Sequence, residues 1–399
     1  MSKLRFMTAG ESHGPKLSAI LEGMIAGVPV QPEDINRDLA RRQLSYGSGG
    51  RMRIEMDEAR ITAGVMAGHT TGAPIALEIA NLDYRAWAGR EIEPMTVPRP
   101  GHADLTAAVK YGYRDLRPGL ERASARETAA RVAVGALCRA YLSQFGILIG
   151  GYVTAIGQVT ADASVLEALP YLERFAKAES NDVRCPDLMA AQAMKQHIWH
   201  VMQARDTVGG VFEVVALGVP PGLGSHVHFD RRLGGRLMGA VGSIQAIKGV
   251  EIGPAFANAA LPGTRVHDEI VGDTASALHR ASNRAGGLEG GITTGEPIVL
   301  RAAMKPISTT LTPLGSVDLA TGEPARTRYE RSDFCAVPRA VVVAQAMVAW
   351  VLADELLRKL GGDSLEEQQP RWATLRRSRL EDLPMDNTSW RFGYRDSEE

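Results

Sequence analysis

Glu121-Arg122-Ala123-Ser124-Ala125-Arg126-Glu127-Thr128, continued by a mostly apolar run to Phe145, decides how this chain folds. Ser124 and Glu127 stand three apart, the spacing of a capping box, in which a hydroxyl and a carboxylate each satisfy an unpaired backbone donor at a helix start. Beyond them Val134, Leu137, Cys138, Tyr141, Leu142 and Phe145 recur at three- and four-residue steps, while Ala129, Ala130, Ala133 and Ala136 keep most of the remaining circumference small. The pattern predicts a buried helix. At its open end Arg122 and Arg126 lie one turn apart beside free N–H groups and the positive end of the dipole, an arrangement that suits an anion. The same arginines could equally pair with nearby carboxylates, and this stretch alone does not choose between the two.

A second apolar run, Ala340 to Ala353, is interrupted by Gln345 and stops at Asp354. It is shorter than the roughly 20 residues a bilayer span needs, so it reads as another buried helix and not as a membrane segment. Of 399 residues 45% are apolar, enough for a large core, and 45 basic side chains nearly cancel 46 acidic ones. That balance argues against a general nucleic-acid or acidic-membrane surface, so anion recognition must come from local clusters of arginine. Cys138, Cys185 and Cys335 are too few and too scattered for a disulfide framework or a zinc knuckle, which points to a reducing compartment. Met1 to Gly10 has no apolar core of signal-peptide length, so the expected location is the cytoplasm.

Working outward, the loop Gly10-Glu11-Ser12-His13-Gly14 sets a hydroxyl beside a titratable imidazole between two glycines, ahead of an apolar strand from Leu17 to Met24. Pro32 opens a helix with Ile35 and Leu39 on one face. It runs through Arg41, Arg42 and Gln43 into the turn Tyr46-Gly47-Ser48-Gly49-Gly50, closed by Arg51. Guanidinium groups flanking such a loop suit phosphate or carboxylate, since each offers a planar two-pronged donor. Arg51 to Met56 and Ile75 to Ile79 read as strands, with turns at Gly64, Gly68 and Gly72.

In Val97-Pro98-Arg99-Pro100-Gly101-His102-Ala103-Asp104 two prolines stiffen the approach to a histidine at the start of a helix from about Ala103 to Tyr113. Strands are expected at Ile147 to Ile156, Val208 to Leu217 and Ile298 to Leu300, with helices near Asp187 to Ala204 and Leu233 to Ile247, the latter carrying Gln245 and Ala246 at its end. His226, His228 and Asp230 alternate as metal ligands would, but an exposed turn explains them and no metal site is expected. The glycine-dense run Gly286 to Gly295 is neither a dinucleotide fingerprint nor a Walker loop. Lys305-Pro306-Ile307-Ser308-Thr309-Thr310 gathers one cation and three hydroxyls, able to hold a phosphate-bearing chain, and Arg331-Ser332-Asp333 precedes the second buried helix. No repeat or linker divides these pieces, so the chain reads as one large α+β domain with strands layered around buried helices. The exception is Glu366 to Glu399, charged and weakly periodic, expected to be an appended and partly flexible tail beyond a domain spanning 1–365.

Together these stretches resemble the chorismate synthase family over about residues 5 to 365. The motifs are Gly10-Glu11-Ser12-His13-Gly14, Arg99-Pro100-Gly101-His102-Ala103-Asp104, Glu121 through Thr128, Lys305 through Thr309, and Arg331-Ser332-Asp333, all in the family's order. The resemblance implies buried helices sandwiched between mainly antiparallel sheets. It also implies a carbon–oxygen lyase of the shikimate pathway, which serves aromatic amino acid biosynthesis. The reaction would be an anti 1,4-elimination of phosphate from 5-enolpyruvylshikimate 3-phosphate to chorismate, needing reduced FMN without net oxidation. By the same resemblance His13 would protonate flavin N1 or stabilise the charge near it, His102 would be the general acid toward departing phosphate, and Asp333 would help remove a proton from flavin N5, with Ser12 and Ser124 relaying or orienting protons. The flavin would be held by Arg122, Ala123, Ser124, Gln245, Ala246, Gly290, Lys305, Pro306, Ile307, Ser308, Thr309 and Arg331. Arg42, Ser48, Arg51, Arg99, Arg126 and Arg331 would meet the substrate. The resemblance further implies a homotetramer supplied by a flavin reductase, with NADPH as the source of reduction left open. The rival reading is a non-catalytic anion- or nucleic-acid-binding protein built on the same arginines.

One position departs from the pattern. Where the family's loop usually reads tyrosine-glycine-arginine-glycine, this chain has Tyr46-Gly47-Ser48-Gly49. Loss of one charge-assisted hydrogen bond predicts binding weaker by roughly 1.5–3 kcal/mol unless Arg41 or Arg53 moves in. Burying so many arginines without anions is costly, which predicts a pocket that is open or disordered when empty.

Overall fold

Alternation along Lys16–Glu22 puts Leu17, Ala19 and Leu21 on one buried face, and Ile75, Leu77 and Ile79 do the same along Ile75–Ala80. These two strands pair antiparallel at the centre of a four-stranded sheet, flanked by Arg5–Ala9 and Ala59–Ala63. The computed structural model describes residues 4–48, 56–273, 277–330, 332–383 and 385–389. The expected strand Arg51 to Met56, together with Arg51, Arg53 and Arg331, falls almost wholly outside them.

A second antiparallel sheet runs in the order Ile247–Ile252, Ile298–Met304, Gly210–Leu217, Leu148–Ile156, Val159–Thr160. Its central strands are buried on both sides: Phe212 and Val214 join the main core, while Tyr152 and Val215 pack with Ala178 of the helix Tyr171–Glu179. Between the sheets lie the helices Thr128–Ser143 and Val337–Leu360, the first against the four-stranded sheet and the second against the five-stranded one. They touch each other more extensively than any other two elements. The reason is Gly135, where a Cβ would lie 2.5 Å from Ala346 Cα, so only the missing side chain lets the two backbones approach. The α+β sandwich expected from the sequence is the fold observed.

Two boundaries differ from expectation for physical reasons. The second helix begins at Val337 and ends at Leu360, longer than its apolar run, because Arg236 pairs with Asp354 and Glu355 and lets the charged turn stay buried. By length and composition it could cross a membrane, yet it lies enclosed between the sheets. The helix from Leu233 stops at Gly242, and Gln245 and Ala246 form a turn before the strand Ile247–Ile252, with Ala246 at φ 67°. Past residue 365, Leu365–Ala373 is helical and docks on the core through Gln368, which accepts from Tyr141 Oη at 2.7 Å, and through Trp372 against Phe145.

Candidate active site

The strand Arg5–Ala9 delivers the chain into the loop at Gly10, whose φ of 110° and proximity to the Lys16 carbonyl admit no side chain. The loop is pinned to the short helix Arg117–Ala123. Ser12 N donates to Glu121 O, His13 N donates to Glu121 Oε2 at 2.7 Å, and His13 Nδ1 lies 2.8 Å from Glu121 Oε1. One carboxylate thus grips both backbone and ring of His13, while Trp87 covers the imidazole at 4.4 Å. Burial would raise the Glu121 carboxyl, but the His13 hydrogen bonds outweigh it and hold the group below its ordinary value. Ser124 Oγ donates to Ser12 Oγ at 3.1 Å, which brings the two expected relay hydroxyls together.

His102 is built the same way. Gly101, at φ 78°, turns the chain so that Asp104, in the first turn of the helix Asp104–Tyr111, reaches back over it. Asp104 Oδ1 lies 2.5 Å from His102 Nδ1, and the same carboxylate accepts from Arg99 N, Nε and Nη2 at 2.8–3.0 Å. Arg99 Nη2 also lies 3.0 Å from Nδ1, but the closer carboxylate can only accept, so the pairing favours the hydrogen on Nδ1 and leaves Nε2 as the ring nitrogen able to meet a ligand. Burial pushes Asp104 up, yet the hydrogen bonds from His102 and Arg99 win and keep it well below the usual carboxylate range. Arg99 Nη1 donates to Thr309 Oγ1 and Lys305 Nζ to Gly101 O, tying this loop to the 305–309 segment.

The capping box forms only by half. Ser124 Oγ accepts from Arg126 N, but a 3₁₀ turn at Ala125–Glu127 precedes the α-helix and sends the Glu127 carboxylate away to Thr8, Arg131 and Gln245. The two arginines of the expected anion site separate as a result. Arg122 donates to Thr8 and to the Gly10 carbonyl, whereas Arg126 turns inward. Arg126 Nη1 meets Asp57 Oδ1 at 2.6 Å, and Arg42 Nη1, from the end of the helix Pro32–Gln43, meets the other oxygen at 3.3 Å. One fully buried carboxylate therefore serves two guanidiniums. Burial first, with the neighbouring Arg126 and Arg339 adding to it, pushes Arg42 down to about 10 despite Asp57. Asp57 and Asp104 thus offset the charge of Arg42, Arg99 and Arg126 from within, and all three side chains are buried.

Two contiguous hollows result. One, of about 510 Å³, is walled by Ile244, Ile247 and Val343 and takes in Ala123, Gln245, Ala246, Lys305, Ile307 and Ser308. The other, of about 360 Å³, is lined by Ser12, His13, Arg99, Ser124, Arg126 and Thr309. Arg42, His102, Asp333 and Arg339 belong to both and form the shared wall. His13, His102, Arg126 and Asp333, scattered across 320 positions between residues 13 and 333, thus face a single space. Among the other expected residues, Arg122, Pro306 and Ser48 line neither hollow. Gly290 lies in the turn between the short strands Leu288–Glu289 and Ile292–Thr293. His228 pairs with Asp230 in an exposed turn, and no metal-binding cluster exists among the described residues.

The sequence model of chorismate synthase matches residues 4–357, nearly the whole of this architecture. The chain belongs to the chorismate synthase family. The chorismate synthase of Desulforamulus reducens is 54% identical over 377 residues, covering 92% of this chain and 97% of the relative. That of Aquifex aeolicus is 52% identical over 386 residues, covering 92% and 96%. A crystal structure of chorismate synthase, 46% identical, superposes with a TM-score of 0.77 over 93% of this chain and 96% of its own.

The larger hollow suits the flavin that the chorismate synthase resemblance implies. Its volume lies within the usual range of cofactor sites. Gln245 Oε1 is buried there with no hydrogen-bond partner among the described residues, an acceptor fitted to a ring N–H. At one end Lys248 and Lys305 share the lining. Burial, and then Lys248, pull the Lys305 ammonium below its ordinary value, as expected of cations awaiting a phosphate.

Sequence reasoning missed Asp57 and Arg339 as members of this chorismate synthase site, and left Glu121, Asp104 and Trp87 without roles. A signal existed for three of these. Asp104 follows His102 by two residues, Glu121 opens a quoted motif, and Arg339 is the sole charge at the front of an apolar helix. Nothing near Asp57 in sequence announces that it meets Arg126.

Proposed function

We propose that the chain is a carbon–oxygen lyase that converts 5-enolpyruvylshikimate 3-phosphate to chorismate by anti 1,4-elimination. The C3–O bond breaks with its electron pair leaving on phosphate, the hydrogen departs C6 from the opposite face, and a new double bond completes the diene. Gln245, Ala246, Ala123 and the segment Lys305 to Thr309 would hold reduced FMN in the larger hollow, which when bound would supply electron density as the C–O bond breaks and a site for the departing hydrogen, with no net redox change. Arg42, Arg99 and Arg126 bind the trianionic substrate in the smaller hollow, together with Arg51 and Arg331 by motif.

His102, as an imidazolium that keeps its Nδ1–H on Asp104, gives its Nε2 proton to the leaving phosphate and is left neutral. Asp333 on the shared wall accepts a proton, His13 braced by Glu121 balances charge beside the cofactor, and the Ser12–Ser124 pair orients protons between them. The observation that carries this reading is the common wall, which puts His102 and Asp333 between the two hollows, with His13, Ser12 and Ser124 lining the smaller one. Family membership extends the proposal to a homotetramer in the cytoplasm, fed by a flavin reductase or NADPH. The rival reading as an anion-binding protein without catalysis has no support beside that membership.

The test is anaerobic phosphate release from the substrate by purified protein with chemically reduced FMN. Release is expected, and none from a natively folded sample overturns the assignment. His102→Ala should cut turnover by about 10²–10⁴ while leaving flavin affinity nearly unchanged. Equal losses in both would contradict its role as acid.

A further inference from the structure

Ser48 was expected to weaken binding unless Arg41 or Arg53 moved in. Arg53 lies outside the described residues, and Arg41 is engaged elsewhere: Nη1 donates to Asp38 at 2.9 Å, and Nη2 donates to Glu179 at 2.6 Å and to Gln345 Oε1 at 2.8 Å. A different guanidinium meets the serine. Arg339 Nη2 donates to Ser48 Oγ at 2.6 Å and Nη1 donates to Asp333 Oδ2 at 2.6 Å. The Ser48 hydroxyl spends its own hydrogen on the Ser45 carbonyl, also at 2.6 Å, so its lone pairs are fixed toward Arg339. Ser48 reaches neither hollow, whereas Arg339 lines both.

Helix stability does not explain this arginine. It sits in the first turn of Val337–Leu360, where a cation opposes the helix dipole, and that turn carries no acidic residue. Although Arg339 is buried, its Nε has no hydrogen-bond partner among the described residues. Because its side chain lines both hollows, an anion entering either one meets a buried guanidinium whose donors are not all used among the described residues. A seat on a helix also holds the group more firmly than a glycine-rich loop would, so less ordering is required when the ligand arrives.

We propose that Arg339 supplies the substrate-facing cation that residue 48 does not, with Ser48 aiming the guanidinium and Asp333 balancing its charge until a phosphate or carboxylate oxygen arrives. The inference rests on the chorismate synthase reading and adds a binding residue to it. It also couples substrate binding to proton transfer, because an anion drawn to Arg339 shares the cation on which Asp333 leans.

The test compares wild type with Arg339→Ala, Arg339→Lys, Ser48→Arg and the double variant Ser48→Arg/Arg339→Ala. KM and kcat are measured with reduced FMN, substrate affinity by calorimetry, and flavin affinity separately by absorbance. Arg339→Ala should raise KM and the calorimetric Kd for substrate by about 10- to 100-fold, as loss of a charge-assisted bond does, with little change in flavin affinity. Ser48→Arg alone should bring no gain, since it crowds a second guanidinium against the first. In the double variant it should recover at least half of the loss on a logarithmic scale. Unchanged substrate affinity in a folded Arg339→Ala protein, or tighter binding from Ser48→Arg alone, overturns the proposal. Should Arg339→Ala not fold, Arg339→Lys decides: a several-fold weaker Kd for substrate supports the assignment and an unchanged one refutes it. Failure of wild type to release phosphate refutes the function reading only, because calorimetry still compares the variants. Absence of any substrate binding to wild type overturns both.

Discussion

Replacing Asp57 by asparagine isolates the electrostatics on which the substrate hollow depends. The carboxylate is fully buried and faces Arg126 at 2.6 Å and Arg42 at 3.3 Å, and both of those side chains are at least nine-tenths buried. Removing one member of a buried ion pair costs about 3–5 kcal/mol, because the remaining charge keeps its desolvation penalty. Asparagine retains an acceptor and the volume, which favours the lower end, but two guanidiniums lose their counter-charge at once, so about 3 kcal/mol is expected. In urea unfolding this appears as a lower midpoint with an unchanged slope. The phosphorylated substrate should then narrow the gap between variant and wild type by about 1 kcal/mol or more, because in the variant its anions replace the missing carboxylate. A loss under about 1 kcal/mol, or a gap that substrate leaves untouched, would refute the claim that Asp57 holds these arginines in charge balance.

Two further outcomes follow from the same coordinates. Asp104 and Glu121 are held below their ordinary values of 3.8 and 4.5, so what they add to stability is complete above those values and drains away as pH falls beneath them. Unfolding midpoints should be level from about pH 5 upward and drop below about pH 4, and Asp104→Asn should be less stable but show a shallower acid descent. An equally steep descent in that variant would disprove the assignment. Gly135→Ala forces the two central helices apart, because the new methyl meets the Ala346 backbone. The overpacking cost of about 1–3 kcal/mol should exceed the roughly 1 kcal/mol gained in helix propensity, and a calorimetric melt no lower than wild type would contradict it.

Much of this was legible in the linear chain, for reasons that differ by element. The helix after Thr128 shows its burial because alanine fills the faces that leucine, valine and tyrosine do not. His13 and His102 stand out because glycines flank them and their bracing carboxylates lie in neighbouring motifs. The start of the central helix was misread because Ser124 and Glu127 have the right spacing, yet Glu127 is drawn off by Arg131 and Thr8. That competition is tertiary and leaves no local trace. Asp57 was invisible for the same reason, since its meaning comes from an arginine 69 positions away. Arg339 was hidden by context: inside a run of valine and alanine a single charge looks like a flaw in the pattern, and only its contact with Ser48 gives it a purpose.

The place of Val337–Leu360 in the chain has a consequence for biogenesis. The five-stranded sheet and the helix Thr128–Ser143 both pack on this helix, but it emerges from the ribosome after them. Until it arrives, the inner face of that sheet and one side of the alanine-rich rod lack their cover, so the five-stranded half cannot be completed from the front. A chain interrupted before residue 337 would be sticky and a natural client for chaperones, since its missing part is the keystone of the sandwich.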